Sequence, residues 1–160
     1  MQDKTFRNAM ARFATGVTVI TTKVGEDIHG MTANAFMSIS LDPKLITVSV
    51  DNNATMLEKI KSSGQFTVSF LSEDQQDIAM HFAGQTNEEK DINFDIINDV
   101  PAIKDALASI VCDLERSYEV GDHTLFIGEV AEINLTDGNP LTFFKGKYGQ
   151  YQPVEYADTL

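Results

Sequence analysis

The chain has a single cysteine, Cys112, so it cannot form an internal disulfide, and a reducing compartment is expected. Positive charge is also scarce. Against 24 Asp and Glu stand 12 Lys and Arg, a formal net charge of -12, and most of such a surface repels a phosphate backbone or an anionic membrane. Nucleic acid and membrane are therefore not expected as partners. No apolar run approaches the roughly 20 residues that span a bilayer. Met1-Gln2-Asp3-Lys4 lacks the apolar stretch of a signal peptide, so a cytoplasmic location is expected.

Several reaction classes lack their residue sets. No two of the 10 glycines are separated by one residue, which excludes a G-x-G-x-x-G dinucleotide turn. Gly146-Lys147 is followed by Tyr148, not by Ser or Thr, so there is no phosphate-binding P-loop. His29, His81 and His123 are far apart, with no H-E-x-x-H and no C-x-x-C, and no metal site is expected. No G-x-S-x-G surrounds a serine, and Cys112 points with the apolar side of its predicted strand. Covalent hydrolase chemistry has no support, and the thiol reads as buried and inert.

What is present is one domain's worth of alternating sequence. At 160 residues and 42% apolar content, a single core over residues 1–160 is expected. Phe6, Met10 and Phe13 recur at helical spacing behind Asp3 as a candidate N-cap. Val17 to Thr22 is a β-branched run that predicts a strand, broken near Gly25 and Glu26. Met31 to Ser40 predicts one continuous strand, with Met31, Ala33, Ala35, Met37 and Ile39 on one face and Thr32, Asn34, Phe36, Ser38 and Ser40 on the other. Leu45 to Val50 and Phe66 to Phe70 read as further strands. Capping-box patterns at Thr55–Glu58 and Ser72–Gln75 predict helices that stop at Ser63-Gly64 and near Gly84.

Residues 85–100 are polar and acidic with little period, which predicts a mobile excursion with Glu88-Glu89 as a solvated loop. Ile110 to Val120 and Leu125 to Leu135 predict two long strands joined by Gly121-Asp122-His123 as a hairpin connection. Leu125, Ile127, Ala131, Ile133 and Leu135 are expected on the inner face. Residues 152–160 read as a C-terminal tail. At least six strands, a few short helices and no βαβ rhythm predict a mainly β fold, an antiparallel barrel.

Thr32, Asn34, Ser38 and Ser40 share one predicted pleat face. They could line up against a flat heteroaromatic ring with a polyol tail, and the same pattern also describes a solvent-facing polar stripe. Asp51-Asn52-Asn53-Ala54-Thr55 leads into a helix whose first amides can hold a phosphate, or serves as a plain capping box. His123 falls at an exposed rim, where an imidazole can meet a ligand or stay inert. His29 reads as a turn residue and His81 as a surface or interface residue.

Six segments carry a resemblance. They are Phe13-Ala14-Thr15-Gly16-Val17-Thr18-Val19, Gly30-Met31-Thr32-Ala33-Asn34-Ala35-Phe36, Ser38-Ile39-Ser40-Leu41-Asp42-Pro43, Phe82-Ala83-Gly84, Gly121-Asp122-His123, and Pro140-Leu141 leading to Gly146-Lys147-Tyr148. In this order and spacing the chain resembles the flavin reductase-like family with the FMN-binding split-barrel fold. The resemblance implies a Greek-key split barrel, a homodimer, and FMN (or FAD) held noncovalently near the dimer interface. It also implies hydride transfer to flavin from NADH or NADPH, with reduced flavin supplied to a partner such as a monooxygenase.

Carried over by residue, Thr32, Ala33, Asn34 and Ala35 would lie along the ring and ribityl chain, and Ser38, Ser40 and Leu41 would continue that wall. Asp51, Asn52 and Thr55 would reach the ribityl and phosphate end, Phe82, Ala83 and Gly84 would lie close to the flavin, and His123 would position the nicotinamide. Two departures stand out. Pro43-Lys44 replaces a common Pro-Pro, and the expected basic residue after the Phe-Ala segment has its nearest candidate in Lys90. A flavoredoxin-like carrier that keeps FMN bound, or a non-enzymatic flavin-binding module, would use the same residues. With only Arg7, Arg12 and Arg116 as arginines, NADH is favoured over NADPH.

Overall fold

A computed structural model describes residues 1–87 and 89–155. The chain opens with helix α1 (Asp3–Met10) and a short strand β1 (Thr15–Gly16), followed by β2 (Thr18–Val24), β3 (Asp27–Ala33), β4 (Phe36–Leu41) and β5 (Lys44–Asp51). Helix α2 (Thr55–Ser63) leads to β6 (Gln65–Phe70), a 3-10 turn (Glu73–Gln75) and helix α3 (Gln76–Phe82). The strands β7 (Phe94–Ile97), β8 (Val100–Ile103), β9 (Ala108–Val120), β10 (His123–Leu135), β11 (Leu141–Phe144) and β12 (Lys147–Gln150) complete the described fold.

Seven strands pair in the order β3-β2-β6-β9-β10-β5-β4, every pairing antiparallel. The β9–β10 hairpin lies between β5 and β6, which is a Greek-key order. The two edge strands, β3 and β4, are consecutive and joined only by Asn34 and Ala35. Such a link spans at most about 11 Å, so the sheet must roll until its edges nearly meet. No ladder joins β3 to β4, and the barrel stays open along this seam.

The barrel is filled by Ile20, Val48, Phe66, Val68 and Phe126, and α2 closes it with Met56, Leu57 and Ile60. Val19 points the other way, into a second cluster with Leu71, Ala79, Ile103 and Leu141. Both faces of β2 are thus covered, which is why its sequence is a continuous β-branched run and not an alternation. The smaller sheets β1-β11-β12 and β7-β8 supply part of that outer cover.

The helix stops match their signals: Gly64 and Gly84 adopt φ of 70° and 68° after α2 and α3. The capping box between Ser72 and Gln75 also forms. The one expected at Thr55 does not. The helix starts at Thr55 behind Ala54 with no side-chain cap, because Asp51 instead folds the preceding loop by accepting the Asn53 amide at 2.7 Å. Asp3 lies inside α1, and Gln2 occupies the N-cap position.

Three further expectations are corrected. Met31 to Ser40 is two strands, because the chain crosses from one sheet edge to the other at Asn34–Ala35. The stretch read as an irregular excursion carries β7, paired with β8 through Asn98 and Asp99 at φ of 51° and 65°. That hairpin is pinned to the barrel: the Thr21 hydroxyl donates to the Pro101 carbonyl and the Ile103 amide donates to Ser69 Oγ. Glu88 and the end of the C-terminal tail, 156–160, lie outside the described residues. On β10 the inward residues include Phe126 and Val130, with Leu125 and Ile127 on the opposite face. Both faces are apolar there, so alternation marks two faces without saying which one meets the barrel.

Candidate functional site

The break between β3 and β4 creates the first part of the site. The Ala35 carbonyl accepts the Ser49 amide of β5 at 3.2 Å, which fixes the crossing chain to the barrel wall. Phe36 then turns inward and meets Phe70 edge-to-face, with ring centroids 4.9 Å apart. Two grooves flank this aromatic pair. One of about 370 Å³ is lined by Phe13, Thr15, Thr18, Asn34 and Leu141, and the other of about 290 Å³ by Ser38, Ser40, Leu41, Val130 and Ile133.

Among the described residues, Asn34 and Ser38, which are exposed, and the half-buried Ser40 make no side-chain hydrogen bond to another protein group. Thr15 Oγ1, beside Asn34 in the first groove, is buried and likewise unpaired. Mostly apolar walls with a few unpaired amide and hydroxyl groups suit a flat heteroaromatic ring with a polar edge, and this donor set fits a flavin.

Thr32 and the Phe82 segment lie elsewhere. The Thr32 hydroxyl donates to the Ala79 carbonyl of α3 at 2.7 Å. Gly30, on the same face of β3, leaves room for Phe82: a Cβ there would stand 2.5 Å from the Phe82 ring. Thr32 and Phe82 thus form an outer layer where α3 docks, with Ala83 as the helix C-cap and Gly84 after it. Ala33 faces the barrel interior, and its carbonyl accepts the Thr18 hydroxyl at 2.7 Å. The structure therefore does not place Thr32 on one face with Ser38 and Ser40, and the crossing at Asn34 is the reason. Lys90 is ion-paired with Asp77 and lines a pocket with His81, Glu89 and Asp91; it does not line the groove at Asp51.

The second part of the site lies at the β9–β10 turn. His123 is the first residue of β10 and stands opposite Asp51 on β5 and Val120 on β9. Its Nδ1 lies 2.7 Å from Asp122 Oδ1, and this imidazole contact holds the Asp122 carboxyl below the usual carboxylate range. In the tautomer whose Nδ1–H donates to the carboxylate, Nε2 is the acceptor and faces away from Asp122. The Asn52 amide donates to the Asp122 carbonyl at 2.9 Å, so the loop before α2 is joined to this turn. Thr55 is exposed at the start of α2.

Sequence reasoning missed one neighbour. The first turns of α1 arrive at the same place, where Asp3, Phe6, Arg7, Asp51, Asp122 and His123 border a groove of about 550 Å³. No local signal could reveal this, because the contact joins the first residues to a turn late in the chain. The other arginines are engaged elsewhere, Arg12 with the Asn8 carbonyl and Arg116 with Glu115 and Tyr118. Among the described residues no helix is long and apolar enough to cross a membrane, and no group of three potential metal ligands gathers.

Residues 10–152 match the family described as flavin reductase like domain. The chain is 43% identical over 145 residues to an NADH-dependent flavin reductase from Rhodococcus sp, covering 89% of this chain and 82% of the relative. It is 42% identical over 144 residues to the reductase component of 4-hydroxyphenylacetate 3-monooxygenase from Thermus thermophilus, covering 89% and 93%. The solved structure of flavin reductase PheA2 in its native state superposes with a TM-score of 0.94 at 54% identity, covering 96% of this chain and all of that one.

Proposed function

The chain belongs to the flavin reductase-like family, and from that premise we propose that it transfers hydride from NADH to FMN or FAD and supplies reduced flavin to a partner monooxygenase. The observation that carries this reading is the placement of His123, with Nε2 free, at the end of the barrel wall that begins with the unpaired donors of the seam. The curated relatives are NADH-dependent flavin reductases and reductase components, which supports both the reaction and the cofactor pair.

Asn34, Ser38 and Ser40 would hold the flavin edge by hydrogen bonds, with Phe36 and Leu41 giving apolar wall. The uncapped start of α2, with Thr55, offers amides and a hydroxyl to the phosphate end. When bound, the flavin itself supplies the hydride-accepting ring, so no enzyme nucleophile is required. His123 Nε2 accepts a hydrogen bond from the nicotinamide carboxamide and orients it. Exclusion of water by Phe36, Phe70 and their neighbours keeps the approach geometry fixed. Asp3, Asp51 and Asp122 around His123 oppose the extra phosphate of NADPH, with Arg7 as the counterweight in that groove. The protein acts as a cytoplasmic homodimer in this reading.

The test is repeated anaerobic turnover of free FMN by NADH. Many turnovers per protein support a reductase of diffusible flavin. A single stoichiometric bleaching of tightly held FMN identifies an electron carrier instead. Replacing His123 with alanine should raise the KM for NADH about tenfold while the flavin Kd stays near wild type. A collapse of flavin affinity would assign the imidazole to the other ligand.

A further inference from the structure

Asn52 lies in the loop that the flavin phosphate end would approach, yet its side chain is turned towards the β9–β10 hairpin. Its Oδ1 accepts the Thr124 hydroxyl at 2.7 Å, and its Nδ2 makes a longer contact of 3.4 Å with the Gly121 carbonyl. Its backbone amide donates to the Asp122 carbonyl at 2.9 Å. The orientation of the amide is fixed by chemistry, because the Gly121 carbonyl can only accept. The three partners are Gly121, Asp122 and Thr124, the residues on either side of His123. Thr124 is itself buried, with 4% exposure, so its hydroxyl has little access to water as a substitute partner.

The rest of the loop is tied down from the other side. Asp51 accepts the Asn53 amide through Oδ1 and the Ala54 amide through its carbonyl, while Asp51 pairs across the sheet with His123. The segment entering α2 and the turn carrying His123 are therefore one rigid unit, and Asn52 adds side-chain bonds between them beyond the end of the β5–β10 ladder.

We propose that Asn52 is a positioning residue for the hydride-transfer reaction: it sets the place of His123 relative to the nicotinamide by clamping Gly121, Asp122 and Thr124, and it is not a flavin ligand. This rests on the reading of His123 as the nicotinamide contact. Its consequence is a division of labour within one loop, in which Thr55 and the α2 amides serve the flavin and Asn52 serves the co-substrate.

The experiment compares Asn52→Ala, Thr124→Val and Thr124→Ser with the wild type, in the presence and absence of His123→Ala. For each, the flavin Kd is read by fluorescence quenching and the KM for NADH by steady-state turnover. Circular dichroism identifies variants that fold. Loss of the clamp should raise the KM for NADH on the order of five- to tenfold, as expected for one or two hydrogen bonds, and leave the flavin Kd within about twofold. Thr124→Ser, which retains the hydroxyl, should restore the wild-type KM. In the His123→Ala background, Asn52→Ala should add nothing further, because its effect runs through the imidazole.

A rise in flavin Kd with unchanged KM for NADH would overturn the inference, as would full additivity with His123→Ala. If Asn52→Ala does not fold, Thr124→Val and Thr124→Ser carry the same comparison. A wild-type protein that binds flavin but never oxidises NADH would overturn the functional reading itself, which is a separate and recognisable result.

Discussion

Cys112 shows how far one side chain's chemistry is set by its neighbours. It is fully shielded on β9, and burial together with the Asp113 carboxylate pushes its thiol up to about 12. At pH 8 the thiolate is thus scarce and out of reach. A disulfide reagent should leave the native protein unlabelled and react with one equivalent of thiol only after unfolding; labelling of the native protein would contradict the buried position. Gly128 sits next to it for a related reason. A Cβ there would lie 2.7 Å from Cys112 Cβ and 2.7 Å from the ring of the fully buried Phe66, so the barrel wall requires glycine at this point. Replacing Gly128 with alanine should cost about 1–3 kcal/mol by overpacking. It should lower the urea midpoint without changing the slope, and an unchanged midpoint would show that the wall can yield.

At the scale of elements, the outer layer depends on one amide side chain. Gln75 is buried, accepts the Ser72 amide through Oε1 at 3.0 Å, and donates through Nε2 to the Lys104 carbonyl at 2.8 Å. It therefore caps the turn into α3 and also ties that turn to the segment between β8 and β9. Leucine at this position keeps the bulk but strands both backbone groups, so Gln75→Leu should destabilise the fold by about 1–3 kcal/mol, measured by thermal or urea unfolding. The sequence displayed this cap openly, because Ser72 and Gln75 are three residues apart. The Lys104 contact was invisible to the same reasoning, since nothing local marks a partner so far along the chain. The polar residues Thr21 and Ser69, which hold β8 against the barrel, were likewise unreadable: their partners are backbone groups, which every residue carries.

At the scale of the whole molecule, the accessible surface is 10399 Å² for 17.7 kDa, against about 8000 Å² expected for a compact monomer of that mass. Large apolar side chains contribute to the excess, among them Leu41 at 81% exposure and Leu135 at 78%. A second copy of the chain, as in the homodimer proposed above, would cover such side chains. Light scattering should give a dimer, and Leu135→Asp should shift it towards monomer; a monomeric wild type would remove this explanation. The sequence by itself determined the strands around residues 17–22, 45–50, 66–70, 110–120 and 125–135, the helix stops at Gly64 and Gly84 and the buried thiol, because turn chemistry, β-branching and alternation act over a few neighbours. Only the tertiary structure decided which strands meet, that β3 and β4 part at Asn34–Ala35, that Thr32 bonds α3 while Ser38 and Ser40 line the groove, and that α1 reaches His123. Those outcomes depend on closing long loops around a rolled sheet, and the register of such a sheet is set by contacts between residues distant in the chain.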